Sequence, residues 1–294
     1  MKKGSVIFLW ICMLMGCEKT LNLQPDKQVP KLVVEAQIET NQAPIVALSN
    51  SLDYFSEIDT AKLTNSYVHG AKVTIDDGSR IYTLTEFTMM LSAGNKFYYY
   101  STNQTTPANA LVGEAGKKYT LSIETAGQVY ISSTTIPVLA KKIDSVWWKK
   151  APNNPDTTKA ILMSRVTDPP GYGNYIRYFT KVNRENFYPG YNSVYDDQII
   201  DGKTYDIQVD QGVSKNEVQR RDEHGYFRRG DTLTVKFCNI DKPSYDFWRT
   251  WEFTYQSVGN PFSSPGKVLG NISNGGLGSF CGYSAQYISL IIPK

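Results

Sequence analysis

Histidine is scarce in this chain, and its scarcity limits the chemistry that the sequence can support. The 294 residues include only His69 and His224, far apart and in polar surroundings. A histidine-based zinc site needs clustered ligands, which this spacing does not provide, so both are interpreted as surface residues. The sequence also contains no Gly-x-Ser-x-Gly elbow, no phosphate-binding loop and no dinucleotide fingerprint. We therefore predict a protein that is not an enzyme, with no cofactor and no metal site.

Calcium-loop spacing is absent as well. The acidic pairs Asp76-Asp77 and Asp196-Asp197 do not follow the ligand pattern of a calcium loop and are interpreted as turn residues. A serine-based triad stays open, because its members need not be neighbours in sequence.

A surplus of one charge is also missing. Lys and Arg number 31 and Asp and Glu number 28. Lys2 and Lys3 belong to the first 16 residues, so the remaining chain is close to neutral. A nucleic-acid surface needs concentrated positive charge, so no nucleic-acid partner is expected.

The N-terminus has the pattern of a secretory signal. Two lysines precede an apolar run of about 11 residues, whereas a spanning helix needs roughly 20. Leu14-Met15-Gly16-Cys17 then resembles a bacterial lipobox. The small Gly16 allows cleavage before Cys17, whose thiol accepts diacylglycerol and whose freed amine accepts a further chain such as palmitate. We predict a signal peptide at 1–16 and a lipid on Cys17; the alternative is a secreted protein with a chance cysteine.

Residues 17–30 are predicted to be a lipidated tether, because they are polar, contain two prolines and show no periodicity. Glu18 follows the lipidated cysteine, where an aspartate would favour retention in the inner membrane. The prediction is therefore an outer-membrane lipoprotein. Whether its body faces the periplasm or the cell surface is left open.

The remaining sequence predicts a mainly β fold, since aromatic residues reach 13% and short alternating segments recur. Strands are predicted at 31–38, 45–49, 71–75, 81–84, 118–124 and 129–134, as an immunoglobulin-like β-sandwich over 31–137. A second β-rich domain is predicted over 143–294. Its strands are expected at 143–149, 161–166, 175–182, 232–237 and 287–291, and 257–285 is expected to form loops.

One helix is predicted near 242–257. Asp241 can cap it and Pro243 stands in its first turn. An aromatic stripe follows at helical spacing, interpreted as core packing, with a sugar-stacking platform as the alternative. The stripe comprises Tyr245, Trp248, Trp251 or Glu252, and Tyr255.

The mature chain keeps two further cysteines, Cys238 and Cys281. In an oxidising compartment they are candidates for a disulfide, and the alternative is two buried small apolar side chains. Trp147-Trp148 and the stretch 97–100 are candidates for binding a glycan or peptide ligand, with strand packing as the alternative.

The order of several short motifs resembles one lipoprotein family. They are Cys17-Glu18-Lys19, the segments 30–36 and 70–78, Ile143-Asp144-Ser145-Val146, the segments 229–235 and 245–250, Asn260-Pro261-Phe262, Gly270-Asn271-Ile272 and Gly276-Leu277-Gly278. Together they resemble the Bacteroidota family called domain of unknown function 4249, over nearly the whole chain. The resemblance implies an accessory lipoprotein encoded beside a TonB-dependent outer-membrane receptor. It brings no catalytic residue; Gly70, Gly230 and Gly278 are interpreted as turn formers and Trp248 as an anchor of the helix.

Such bacteria often O-glycosylate exported proteins after aspartate, which makes Thr60 and Thr157 candidate sites in polar loops. The leading hypothesis is a non-enzymatic accessory component of a TonB-dependent receptor, held to the outer-membrane bilayer by the lipid on Cys17. The alternatives are a surface carbohydrate- or peptide-binding module and an unrecognised hydrolase.

Overall fold

The structure, a computed structural model, describes residues 29–53, 59–91, 94–103, 105, 110–214, 225–258 and 266–294. Gly16, Cys17, most of the tether and His224 lie outside the described residues. The signal peptide and the lipid site therefore stay predictions.

Fifteen strands and two helices form the described part of the chain, which is mainly β as predicted. The strands are β1 Leu32–Glu39, β2 Ile45–Asn50, β3 Lys72–Asp76, β4 Ile81–Met90, β5 Lys96–Ser101, β6 Lys118–Thr125, β7 Gln128–Thr135, β8 Lys142–Lys150, β9 Lys159–Thr167, β10 Tyr175–Val182, β11 Tyr188–Tyr195, β12 Thr204–Val209, β13 Phe227–Arg228, β14 Thr232–Ile240 and β15 Leu277–Ile291. The helices are α1 Thr60–Ser66 and α2 Lys242–Ser257.

One large sheet contains 11 of these strands, in the order β11-β10-β14-β15-β1-β2-β5-β4-β3-β6-β7. Strand β15 lies at its middle, antiparallel to β14 and parallel to β1. A smaller sheet has β9 between β8 on one side and β12 and β13 on the other. The predicted division between 137 and 143 falls between β7 and β8, and β15 joins the strands on both sides of it.

The chain packs around three apolar cores. The first core lies among β1 to β6 and includes Val34, Ile75 and Phe280. The second lies between the small sheet and the β10-β14-β15 part of the large sheet, and the third lies under α2. Alternate residues of β14 face opposite layers, so Val235 belongs to the second core and Cys238 to the third. The second half is therefore a sandwich of two sheets with a helix on its outer face.

Helix α2 begins where the sequence predicted. The Asp241 carboxylate accepts hydrogen bonds from the backbone N–H of Ser244 at 3.1 Å and from its hydroxyl at 2.5 Å. The other carboxylate oxygen accepts from the Thr134 hydroxyl and the Thr135 N–H, both at 2.9 Å. One side chain therefore caps the helix and fixes its first turn to β7.

Three sequence-based expectations were wrong. Residues 277–285 form part of β15 rather than loop, and α1 at Thr60–Ser66 was not expected. Gly278 lies inside β15 rather than in a turn: its φ is +92°, and a Cβ there would lie 2.0 Å from the carbonyl oxygen of Val34. Glycine is required there because β1 and β15 approach so closely.

The disulfide alternative for Cys238 and Cys281 is also wrong. Both thiols are free and buried, which agrees with the alternative that the two cysteines are small apolar core residues. Cys238 pairs across the sheet with Ala285, four positions along β15 from Cys281. At about 3.3 Å per residue this offset is roughly 13 Å, beyond the reach of a disulfide.

Candidate functional site

The paired tryptophans of β8 lie on opposite faces of that strand. Trp148 packs against the second core, and the Arg229 guanidinium lies 5.1 Å from its ring centroid. Trp147 is half-buried, with the Lys149 ammonium 5.9 Å from its ring centroid. The two rings therefore do not form one binding platform.

Both candidate glycosylation threonines are exposed. Thr60 opens helix α1, which is capped by the Asp59 carboxylate accepting from Lys62 N–H at 2.7 Å, so its position is helical rather than a loop. Thr157 stands in a turn, where Asp156 accepts from the Thr158 N–H at 2.9 Å. Glycosylation of either residue stays a prediction.

A concave site, here called the cleft, lies between α2 and the outer face of the large sheet. Its volume is about 420 Å³, within the range of small-ligand pockets. Strands β1, β2 and β15 supply the floor, and α2, β5, β10 and β11 supply the walls. The lining residues are Val34, Glu35, Ala36, Gln37, Ile45, Ala47, Phe97, Arg177, Pro189, Phe247, Trp248, Trp251, Ser279, Cys281 and Tyr283.

Arg177 is the buried cation of the cleft, with only 4% of its surface exposed. Its Nε donates to the Ser193 hydroxyl at 3.2 Å and its Nη1 to the Tyr283 hydroxyl at 3.1 Å. The guanidinium carbon also lies over the ring of Trp248, 3.4 Å from its centroid. The third nitrogen, Nη2, forms no hydrogen bond within the described residues, which leaves its two N–H groups available.

The charge of Arg177 is balanced through Ser193. The Ser193 hydroxyl donates to Glu252, and the Ser193 N–H donates to the same carboxylate at 3.0 Å. Glu252 is itself buried, on the inner face of α2. Because the cation and the anion both contact Ser193, neither is left uncompensated inside the protein.

Tyr283 connects the helix, the sheet and the cation. Its hydroxyl accepts from the Trp248 indole N–H at 2.9 Å as well as from Arg177. Burial raises the pKa of Tyr283 far above its usual range, so the phenol stays neutral. Trp248 therefore anchors the helix, as interpreted from the sequence, and also holds the guanidinium in one orientation.

Glu35 is the acidic group of the cleft floor. Its side chain is exposed, yet the packed groups around it desolvate the carboxylate and raise its pKa. Among the described residues it forms no hydrogen bond and no ion pair. The cleft thus carries an uncompensated carboxylate on β1 and a guanidinium with free donors on β10.

Aromatic side chains continue from the cleft along the outer face of the sheet. Phe97 lines the cleft and stacks on Tyr99 at a centroid distance of 5.7 Å. Tyr99 in turn stacks on Phe87 at 5.8 Å. Part of the stretch 97–100 therefore faces a ligand-sized space, whereas Tyr100 is buried in the first core.

An acidic cluster elsewhere is explained by structure. The carboxylates of Asp168, Asp197 and Asp201 lie within 4.8 Å of one another. The buried Lys141 ammonium lies 3.0 Å from Asp168 and supplies the positive charge. Backbone N–H groups donate hydrogen bonds to the carboxylates of Asp197 and Asp201. Burial alone would raise the pKa of Asp197, but hydrogen bonds such as that from the Asn174 N–H at 2.8 Å hold this pKa below its usual range.

Two other cavities lack these features. One of about 570 Å³ beside α2 is bounded by Gly266, next to a segment outside the described residues. One of about 200 Å³ lies in the second core and is lined mostly by apolar side chains such as Tyr178 and Phe237.

The groups that line the cleft are suited to binding a ligand. Its one thiol, Cys281, is buried, and this desolvation raises its pKa, so it is a poor nucleophile. The only carboxylate among its lining residues is Glu35. What the cleft does offer is a fixed guanidinium, an exposed carboxylate and several aromatic faces.

Sequence reasoning did not single out Arg177, Glu35 or Ser193. A signal for Arg177 exists, since a charged residue interrupts the run Tyr175-Ile176-Arg177-Tyr178-Phe179. Such a charge in a buried strand needs partners, but the sequence does not show that Tyr283 and Ser193 supply them.

The fold and the cleft define a mainly β protein with a ligand-sized site under an aromatic helix. A family model described as Domain of unknown function (DUF4249) matches residues 18–288, and the chain belongs to this family. Among curated proteins, none matches the sequence at a significant level.

Proposed function

We propose that the mature chain is a lipid-anchored binding protein of the outer membrane, acting as an accessory component of a TonB-dependent uptake system. The observation that carries the proposal is the cleft, where a buried guanidinium with two free N–H groups faces a ligand-sized space. A site prepared in this way suits recognition, and its lining lacks the paired groups that hydrolysis needs.

Attachment by lipid is the second part of the proposal. The sequence Leu14-Met15-Gly16-Cys17 supports it, together with the polar tether that follows. Within the described residues, neither helix is long and apolar enough to cross a membrane. Acyl chains on Cys17 would then hold the cleft beside a membrane partner. An extended 13-residue tether would allow the folded body to lie up to roughly 40 Å from the lipid anchor.

Fractionation and affinity purification test this function together. The full chain, tagged at its C-terminus, is purified from native membranes beside Cys17→Ala and the matched control Cys12→Ala. We expect the wild type and Cys12→Ala in the membrane fraction, each with a β-barrel receptor. Cys17→Ala should be lost from that fraction.

Two results would contradict the proposal. A Cys17→Ala variant that stays in the membrane fraction would remove the lipid anchor from the account. Repeated recovery of the wild-type protein without any barrel would remove the receptor.

The runner-up function is a surface carbohydrate- or peptide-binding module without a receptor. Phe97 favours it, because this ring lies in the cleft and continues into the stacked Tyr99 and Phe87. Binding of a ligand by a protein that never recovers a barrel would support this alternative.

A further inference from the structure

The cleft presents one group for an anion, and that group is already oriented. Arg177 cannot turn away, because Ser193 and Tyr283 hold two of its nitrogens and Trp248 covers one face of the guanidinium. The free Nη2 donors therefore point to one kind of partner. A planar carboxylate accepts hydrogen bonds from guanidinium more strongly than a neutral hydroxyl or amide does.

The floor of the cleft presents one group for a cation. Glu35 lies on the floor strand β1 and has no partner among the described residues. Desolvation already raises its pKa, and a bound ammonium would offset that cost. A neutral sugar would leave this carboxylate without an opposite charge and would offer the Nη2 donors only uncharged acceptors.

The spacing of the two groups sets the size of the ligand. The Arg177 guanidinium contacts the hydroxyl of Tyr283, which lies four positions along β15 from Ser279, the partner of Glu35 on β1. Four positions at about 3.3 Å and one interstrand spacing of about 4.8 Å separate the two groups by roughly 14 Å. An extended peptide covers about 3.3 Å per residue, so the distance corresponds to roughly four residues.

Apolar and aromatic side chains also line the cleft around the two charged groups. Trp248, Trp251 and Phe97 form aromatic faces along the walls, and Ile45 and Ala47 belong to the floor. Large apolar side chains of a ligand would lose water there and contact the rings. The backbone N–H and C=O groups of a bound peptide could form hydrogen bonds with the side chain of Gln37, which is exposed on the floor of the cleft.

We propose that the cleft binds a short peptide with free ends, whose C-terminal carboxylate meets Arg177 and whose N-terminal ammonium meets Glu35. This inference rests on the proposed function, because it names the ligand class of the same site. It differs from capture of a glycan, which would use the aromatic rings and leave the charges unused.

Peptide binding is measured on the full lipoprotein purified in detergent. The probe is the tetrapeptide Ala-Leu-Phe-Ala with free ends, compared with its C-terminal amide, its N-acetyl form and the neutral sugar cellotetraose. Calorimetry gives the affinity and tryptophan fluorescence reports the cleft. We expect amidation and acetylation each to weaken binding about tenfold, and cellotetraose not to compete.

Glu35→Gln is the matched protein variant, because the exposed side chain keeps its shape and loses only its charge. We expect this variant to bind the free and the acetylated peptide equally, while still distinguishing the amide. Glu185→Gln, at another exposed glutamate outside the cleft, should behave as the wild type. Amidation tests the Arg177 end without altering the protein, so failed folding of an arginine variant cannot confuse the result.

The proposal would be overturned by equal binding of all three peptides, by no binding of any peptide, or by stronger binding of cellotetraose. It would also be overturned if Glu35→Gln still distinguished the acetylated peptide. Recovery of a receptor by affinity purification from membranes is a separate measurement that tests the proposed function. A protein that recovers the barrel but ignores the peptide contradicts this ligand class and leaves the accessory function standing.

Discussion

The guanidinium carbon of Arg177 lies 3.4 Å from the ring centroid of Trp248, and both side chains contact the hydroxyl of Tyr283. A cation from β10, an indole from α2 and a phenol from β15 therefore form one unit. This unit connects the stability of the helix to the orientation of the binding group. A change at Trp248 should consequently alter both.

Trp248→Phe tests this connection. The substitution keeps an aromatic ring but removes the indole N–H and part of the face that covers Arg177. We expect a loss of about 1–2 kcal/mol in the free energy of unfolding, together with weaker binding of the free tetrapeptide. Denaturation with urea and calorimetry measure the two effects. Trp147→Phe, on β8 outside the cleft, is the control, and equal effects of the two variants would refute the connection.

The buried pair of Lys141 and Asp168 gives a second prediction. Their charged atoms lie 3.0 Å apart and neither side chain is exposed. Lys141→Met should cost about 3–5 kcal/mol, because it leaves a buried carboxylate without its cation. The double variant Lys141→Met/Asp168→Asn should recover most of this loss. Urea denaturation of the two variants checks the prediction, and a double variant less stable than the single one would contradict it.

Asp77 gives a prediction about acid stability. Although burial alone would raise its pKa, hydrogen bonds from Lys117 at 2.8 Å and from Ser79 and Arg80 hold the pKa well below its usual range. A carboxyl group whose pKa is lower in the folded than in the unfolded state stabilises the fold at pH values above its ordinary pKa. This stabilisation is lost as the pH falls through the folded-state pKa.

We therefore expect Asp77→Asn to be less stable than the wild type by about 1.5–3 kcal/mol at pH 7. The difference should shrink as the pH is lowered from about 5 towards 2, because the carboxyl of the unfolded wild-type chain then gains its proton while the folded carboxyl still resists protonation. Urea denaturation across this range measures it, with Asp76→Asn as the neighbouring control. A difference that stays constant with pH would show that the charge of Asp77 is not responsible.

Local patterns predicted much of the fold. Alternation identified strands such as 175–182 with their observed ends, and Asp241 with Pro243 located the start of α2. These features depend on side chains a few residues apart, which the sequence shows directly. The mainly β class follows from the same information.

Long-range pairing could not be predicted in this way. Residues 277–285 are rich in glycine and serine, so their composition indicated loop, yet β1 and β14 hold them as a strand from both sides. The cleft has the same origin, since Arg177 and Tyr283 are 106 positions apart in sequence. Only the sheet order brings them together.

The most direct test of the account is a photo-reactive phenylalanine analogue placed at position 97 in living cells, because Phe97 lines the cleft. We predict that irradiation joins the protein to an outer-membrane barrel or to a peptide that the barrel transports. The same analogue at Tyr172, which is 76% exposed and lies outside the cleft, should give no such product. A cleft that gives no adduct, or the same adducts as position 172, would contradict the claim that the cleft is the binding site.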